Sequence, residues 1–432
     1  MTLHRLSIAQ LRYADAIAVT EHYLARIAAL NSQLRAFTAL DTANARAAAA
    51  QSAHRIAAGN PRPLEGVPIG IKANIAVAGL ATTAGVEARR GAIAVADAAV
   101  VGALRDAGAV ILGHLNMHEA ALGATTDNIA YGRTENPHRI GHTPGGSSGG
   151  SGAAVAAGLC AAALGTDTLG SIRIPAAYNG VYGLKPTTGL LSGAGLVFLA
   201  HRLDSIGPLA RSVADLAAVM AVLSPLAAAL PVTRVTTLAS VDDYAGTEPG
   251  VRAGLSAAVE ALIAMQIIVS RADTPHLDLP GARLGGFIES AREAAVTFAA
   301  DRAGGGISRG FAAMLDFGAG ASAEAIAAGN AAMAQASDTL HRLLITADVL
   351  LLPTTPQAAF VHGKAPVTQA DFTALANIAG LPALSLPAGW SGDRLPVAVQ
   401  IVGRRGSEAT LLALAARIDS ALGAYRPPAD FS

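Results

Sequence analysis

Apolar residues near the start of the chain keep a helical rhythm. Ile8 and Leu11, then Ile17, Leu24 and Ala28, fit a period of about 3.6 residues, which gathers them on one helix face. Asp41 to Ala58 continues as an Ala-rich helix with Asp41 placed to cap it, until Asn60-Pro61-Arg62-Pro63 breaks it. The apolar run Val67 to Ile71 reads as a buried strand. Asp97 to Ala107 predicts a helix and, after Gly108, Ala109 to Leu112 a strand. Ala153 to Leu164 is apolar on every side, which predicts a fully buried helix. Further helices are predicted over Ser212 to Val222, Glu248 to Gln266, Leu284 to Ala300 and Ser322 to Ile345, the last capped by Ser322. Strands are predicted at Ile267 to Val269, Asp348 to Leu352, Ala383 to Leu386 and Val397 to Val402, with a closing helix over Glu408 to Leu422. Alternating helices and strands give an α/β class.

Composition narrows the picture. Over 432 residues, 52 % are hydrophobic and 14 % charged, enough for a large core, but aromatics are only 4 %, so Ala, Val, Leu, Ile and Gly must fill it. Basic and acidic residues balance at 31 each with no basic stripe, which argues against a nucleic-acid partner. The lone Cys160 lies in an Ala-rich run and reads as a small core residue. Met1 to Arg5 lacks an apolar signal core, and the apolar stretch Leu216 to Thr233 is interrupted by Pro225 and Pro231. A cytoplasmic protein that does not cross a membrane is expected, with neither metal nor cofactor and with a homodimer as its protein partnership.

Only Lys72, Lys185 and Lys364 are lysines among the 31 Lys+Arg residues. Lys72 lies in the apolar run Gly66-Val67-Pro68-Ile69-Gly70-Ile71-Lys72-Ala73-Asn74-Ile75. Two readings compete there: a lysine snorkelling from a strand end, and a desolvated amine able to act as a general base. Lys185 reads as structural and Lys364 as a solvated loop residue.

Two Gly-rich segments carry the remaining signal: Thr143 to Gly152, with Gly145-Gly146-Ser147-Ser148-Gly149-Gly150, and Gly165 to Pro175, with Asp167-Thr168-Leu169-Gly170-Ser171-Ile172-Arg173. Neither has the lysine of a phosphate-binding P-loop, and neither has the spacing of a dinucleotide fingerprint. A flexible linker fits poorly, because the first segment runs into the most apolar helix predicted. Gly145 to Gly149 matches a nucleophile elbow, with Asp348 and His362 as candidate partners, but the residues before it are turn-rich rather than a strand. Amides freed by glycine in the second loop suit an oxyanion hole, followed by Ser171 as a nucleophile that needs a base. No histidine stands at a telling position, and His142 suits a surface or pocket rim.

Taken together, GGSSGGSGAAVAAG, GTDTLGSIRIPA and GLKPT between Gly145 and Thr187, with Gly66 to Ile75, Asp204 to Asp215 and Leu395 to Gly403, resemble the amidase signature family. The resemblance covers most of the chain. It implies one domain over 1–432, with N-terminal helices 1–60, a catalytic core 61–225, a variable helical subdomain at about 226–345 and a part 346–432 that rejoins the core. It also implies a large central mixed β-sheet covered on both faces by α-helices. The family uses a Ser–cisSer–Lys triad. Ser171 falls on its nucleophile, Ser147 on the bridging serine after a cis peptide, 171 − 147 = 24 positions earlier, and Lys72 on the base. The backbone amides of Thr168, Leu169, Gly170 and Ser171 fall on the oxyanion hole, and Ser148 on a supporting position.

Asp167 and Arg173 read as a buried structural pair. Leu169 departs from the small residue usual there, and a bulky side chain beside the oxyanion loop predicts a tighter acyl pocket for a small or flat acyl group. Substrate contacts are expected from less regular segments, at Met117, Tyr131, Phe198 and His201, with Arg202 a candidate for a substrate carboxylate. The expected activity is hydrolysis of a small carboxamide, urea or carbamate through an acyl-enzyme. The alternatives are the amidase subunit of a tRNA-dependent amidotransferase and an inactive scaffold.

Overall fold

The computed structural model describes residues 3–431; Met1, Thr2 and Ser432 lie outside the described residues, and with them two of the five N-terminal positions read above. Thirteen strands occur among the described residues: β1 (Phe37–Leu40), β2 (Pro68–Lys72), β3 (Val110–Leu115), β4 (Asp127–Asn128), β5 (Gly132–Arg133), β6 (Ala162–Asp167), β7 (Tyr182–Lys185), β8 (Ser205–Ala210), β9 (Arg234–Leu238), β10 (Ile268–Ala272), β11 (Val349–Pro353), β12 (Ala383–Trp390) and β13 (Pro396–Gly403). Eleven of them form one sheet in the order β1-β3-β2-β6-β8-β7-β12-β13-β11-β9-β10, and β4 pairs with β5 as a separate hairpin. The sheet is mixed: β2 runs parallel to β3 and β6, while β8, β7, β12 and β13 meet their neighbours antiparallel.

Helices cover both faces. Val213–Leu223, Pro249–Ala264 and Glu408–Leu422 pack on one, and Gly149–Ala156 and Arg173–Tyr178 on the other. The central strands are buried along their whole length on both faces, as their near-continuous Val, Ile, Leu and Ala content requires. A second layer of helices, Leu279–Thr297, Arg309–Ala319 and Ala323–Thr346, builds two smaller apolar clusters beside the main core. No single helix among the described residues is long and apolar enough to cross a membrane.

Several expectations are corrected. Ala153 to Leu164 is not one helix: the helix ends at Ala156, a turn through Gly158 (φ 65°) follows, and β6 begins at Ala162. Both halves are wholly buried, so neither shows the one-sided periodicity that separates helix from strand. Strand β1 interrupts the helical N-terminal region, and β9 and β10 bring two sheet strands into 226–345. Ser322 caps its helix by accepting from the Ala325 amide, whereas Asp41 makes no cap bond and accepts from the Asn44 side chain instead.

Candidate active site

Parallel pairing places the central groups. β2 and β6 are adjacent, with Ile69 opposite Ala162 and Ile71 opposite Leu164, so their C-terminal ends, carrying Lys72 and Thr166, lie side by side. The loop holding Ser147 crosses those ends before turning into the helix Gly149–Ala156. Glycine here serves close approach rather than flexibility: a Cβ on Gly150 would stand 2.3 Å from the Asn116 carbonyl oxygen. The peptide between Gly146 and Ser147 is cis, and the Ser147 carbonyl accepts from the His118 amide at 3.0 Å.

Lys72 is 0 % exposed. Its Nζ lies 2.7 Å from Ser147 Oγ and 2.6 Å from Thr166 Oγ1, hydrogen-bonded to both. Asn74 Nδ2 donates to the same threonine hydroxyl at 3.2 Å, which fixes that side chain against the amine. Burial pulls the Lys72 amine down to about 7, against the opposing pull of the Asp204 and Asp167 charges. The snorkelling alternative therefore fails on burial alone.

Ser171 stands in the turn between β6 and the helix Arg173–Tyr178 and faces a cavity of about 540 Å³. Its hydroxyl has no hydrogen-bond partner among the described residues, so it is not bonded to Ser147; the loops meet instead through the Ser148 amide, which donates to the Ser171 carbonyl at 3.2 Å. Ser148 Oγ donates to the Thr166 carbonyl and accepts from the Thr166 amide, tying the first loop to β6.

The four expected oxyanion amides divide. Gly170 N–H donates to Asp167 Oδ1 at 2.7 Å and is therefore engaged, while the amides of Thr168, Leu169 and Ser171 have no protein acceptor among the described residues. Gly170 occupies the left-handed region (φ 134°) and Leu169 does not, so leucine at 169 imposes no left-handed strain. Asp167 and Arg173 are both 0 % exposed and paired at 3.0 Å, and Arg173 also donates to Gln400 and Asn377. Burial pushes the Asp167 carboxyl up, but the charge and hydrogen bonds of Arg173 outweigh it and hold the group at about 2. This buried pair fixes the turn that presents Ser171.

The cavity wall lies elsewhere than the sequence suggested. It is lined by Leu122 and Ala124, Leu169, Leu284 and Phe287 from one helix, Met314 and Phe317 from another, and 365–370. None of Met117, Tyr131, Phe198 and His201 lines it. Met117 is a core residue, Tyr131 lies under the Arg90 guanidinium, and Phe198 stacks on His201, whose side chain is 70 % exposed and bonded to Glu293. Arg202 pairs with Glu289. Sequence reading missed Thr166 and Asp204. Asp204 accepts from Thr168 Oγ1 at 2.5 Å and from the Leu199 and Ala200 amides, joining two segments of the cavity wall. Both lay inside segments already singled out, but nothing local reveals which partner each would meet.

Residues 18–412 match the family model described as Amidase. The chain is 37 % identical to a glutamyl-tRNA(Gln) amidotransferase subunit of Roseiflexus sp. (strain RS-1), over 95 % of each chain. Among solved structures it resembles native peptide amidase from Stenotrophomonas maltophilia, with a TM-score of 0.82, 30 % identity and 98 % of each chain covered. It also resembles an inhibitor-bound protein from a vestigial complex that bears on the origins of an s-triazine catabolic enzyme, with a TM-score of 0.89, 30 % identity, and 98 % of this chain and 100 % of that one covered.

Proposed function

This chain belongs to the amidase signature family and is an amidase, a hydrolase of carbon–nitrogen bonds other than peptide bonds in linear amides; from that premise we propose that it cleaves a small carboxamide with an apolar acyl group, using Lys72, Ser147 and Ser171. Neutral Lys72 accepts the proton of Ser147, and Ser147 accepts that of Ser171 as Ser171 Oγ attacks the amide carbon. The free amides of Thr168, Leu169 and Ser171 receive the developing oxyanion, where one such donor is worth about 3–4 kcal/mol. The proton returns through Ser147 to the leaving ammonia or amine. Water then attacks the acyl-enzyme under the same base and frees the acid.

The carrying observation is the Lys72–Ser147 contact of 2.7 Å at full burial. It supplies a base of suitable proton affinity and links it to the serine loop. The apolar cavity beside Ser171 supports an apolar acyl group of modest size.

A second reading, the amidase subunit of a tRNA-dependent amidotransferase, draws its support from sequence: a relative named as a glutamyl-tRNA(Gln) amidotransferase subunit reaches 39 % identity over 96 % of this chain. The cavity chemistry favours the first reading and the relatives favour the second. Ammonia release by the isolated chain separates them, measured on a panel of amides, ureas, carbamates and glutamine. The first reading expects turnover of small amides other than glutamine by the chain alone. Activity confined to glutamine, or dependent on added partner subunits, would establish the second.

A further inference from the structure

One charged side chain lines the cavity among its described walls. Arg283 stands near the start of the helix Leu279–Thr297, between the apolar Leu284 and Phe287 and the segment 365–370. Its Nε donates to Asp371 Oδ1 at 2.5 Å, and the other Asp371 oxygen accepts from the Tyr244 hydroxyl at 2.7 Å. Asp371 is 0 % exposed, so this pair holds the arginine by one edge. The Nη groups, the other edge of the guanidinium fork, have no partner among the described residues. Gln369, 6 % exposed and also lining the cavity, donates from Nε2 to the Pro366 carbonyl and leaves Oε1, an acceptor, buried without a partner. The open edge of Arg283, on a side chain 21 % exposed, is the cationic group facing a largely apolar chamber, and the Gln369 oxygen is a buried acceptor that only a donor would complete.

We propose that the part of the substrate filling this cavity ends in a carboxylate, which the free edge of Arg283 binds. The planar fork matches a carboxylate in paired hydrogen bonds, and the weak hydration of guanidinium lowers the cost of meeting an anion among apolar walls. Asp371 does not compete, because both its oxygens are already engaged. The substrate class is thus an amide of an aliphatic or aromatic diacid, the scissile carboxamide at Ser171 and the free acid at Arg283. This rests on the hydrolase reading for which group is cleaved, not for which group is bound.

The test compares neutral alkanamides with ω-carboxy amides of matched chain length. Hydrolysis by the wild-type protein should favour one length of ω-carboxy amide by about tenfold or more in kcat/KM, the scale of a hydrogen bond to a charged group. In Arg283→Met that ratio should collapse toward one, and Arg283→Lys should restore part of it. The same pairs titrated calorimetrically into the Ser171→Ala protein should show the same preference in binding. Equal affinity and equal turnover of the paired compounds by the unmutated cavity would overturn the inference, without any need for the Arg283 variants to fold. Absence of turnover with every amide would count against the hydrolase reading, while the calorimetric ratio would still decide the carboxylate.

Discussion

Lys72 and Lys185 are both wholly buried, each is the last residue of a strand in the same sheet, and burial pulls both amines down to about 7. They differ in what the amine meets. Lys72 contacts two hydroxyls, Ser147 and Thr166, in the site that opens toward the cavity. Lys185 donates to the carbonyl of the adjoining Pro186 at 2.8 Å, with Arg173 adding to the pull of burial. A depressed proton affinity is therefore a consequence of burial that both share. A base needs in addition a proton to take, and only Lys72 of the two has a hydroxyl within reach.

The largest expected effect separates the two by activity. Lys72→Met should lower kcat by about 10²- to 10⁴-fold, the range of general-base catalysis. Lys185→Met, measured on folded protein, should keep kcat/KM within about tenfold of wild type, because a structural group acts on turnover only through geometry. Comparable losses in the two variants would erase the distinction.

The next effect is the dependence on pH. Lys72 works as the neutral amine, so kcat/KM should fall as pH drops below about 7. Lys185→Met should retain that acid limb. Stability carries the same sign. The Lys72 amine titrates near 7 when folded and near its ordinary 10.5 when unfolded, so between those values the unfolded chain holds the extra proton and stability rises with pH. Below about 7 both states are charged and the cost of burial is fully felt. Lys72→Met should therefore unfold at a higher temperature than wild type near pH 6, with the gap narrowing toward pH 10. Thermal melts across that range check it; a gap that widens with pH would contradict an amine depressed by burial.

A smaller effect concerns the wall. A Cβ on Gly286 would stand 2.7 Å from Leu169 Cδ2, so the leucine lies directly against the bare backbone of the helix Leu279–Thr297. Leu169→Gly should enlarge the acyl pocket and raise kcat/KM for bulky acyl amides relative to small ones by about tenfold. An unchanged ratio across an acyl-length series would show that Leu169 does not set the pocket.

The same contrast explains what was legible from sequence. Lys72 stood out because lysine is rare here, and the serine loops because dense glycine ran straight into apolar residues; each signal spans a few neighbouring positions. The cavity wall draws on Leu122, Leu169, Phe287, Met314 and Val367, positions far apart along the chain whose meeting depends on how the outer helices pack. Phe317 is 52 % exposed and Leu284 41 %, yet in sequence they look like any apolar residue of an amphipathic helix. Arg283 likewise carries no local sign of its place, which its pairing with Asp371 and its position in the cavity wall reveal. Among the strands, β6 was lost inside an apolar run with no period, whereas Val67 to Ile71, bounded by Gly66 and by Lys72, was recognisable.

The central claim is that Lys72, through Ser147, activates Ser171 to form an acyl-enzyme. Rapid quenching during turnover of a slowly hydrolysed amide, followed by peptide mass spectrometry, tests it most directly. The expected result is an acyl adduct on the peptide containing Ser171, absent from Ser171→Ala and formed far more slowly in Lys72→Met. An adduct on another residue, or full turnover by Ser171→Ala, would contradict it.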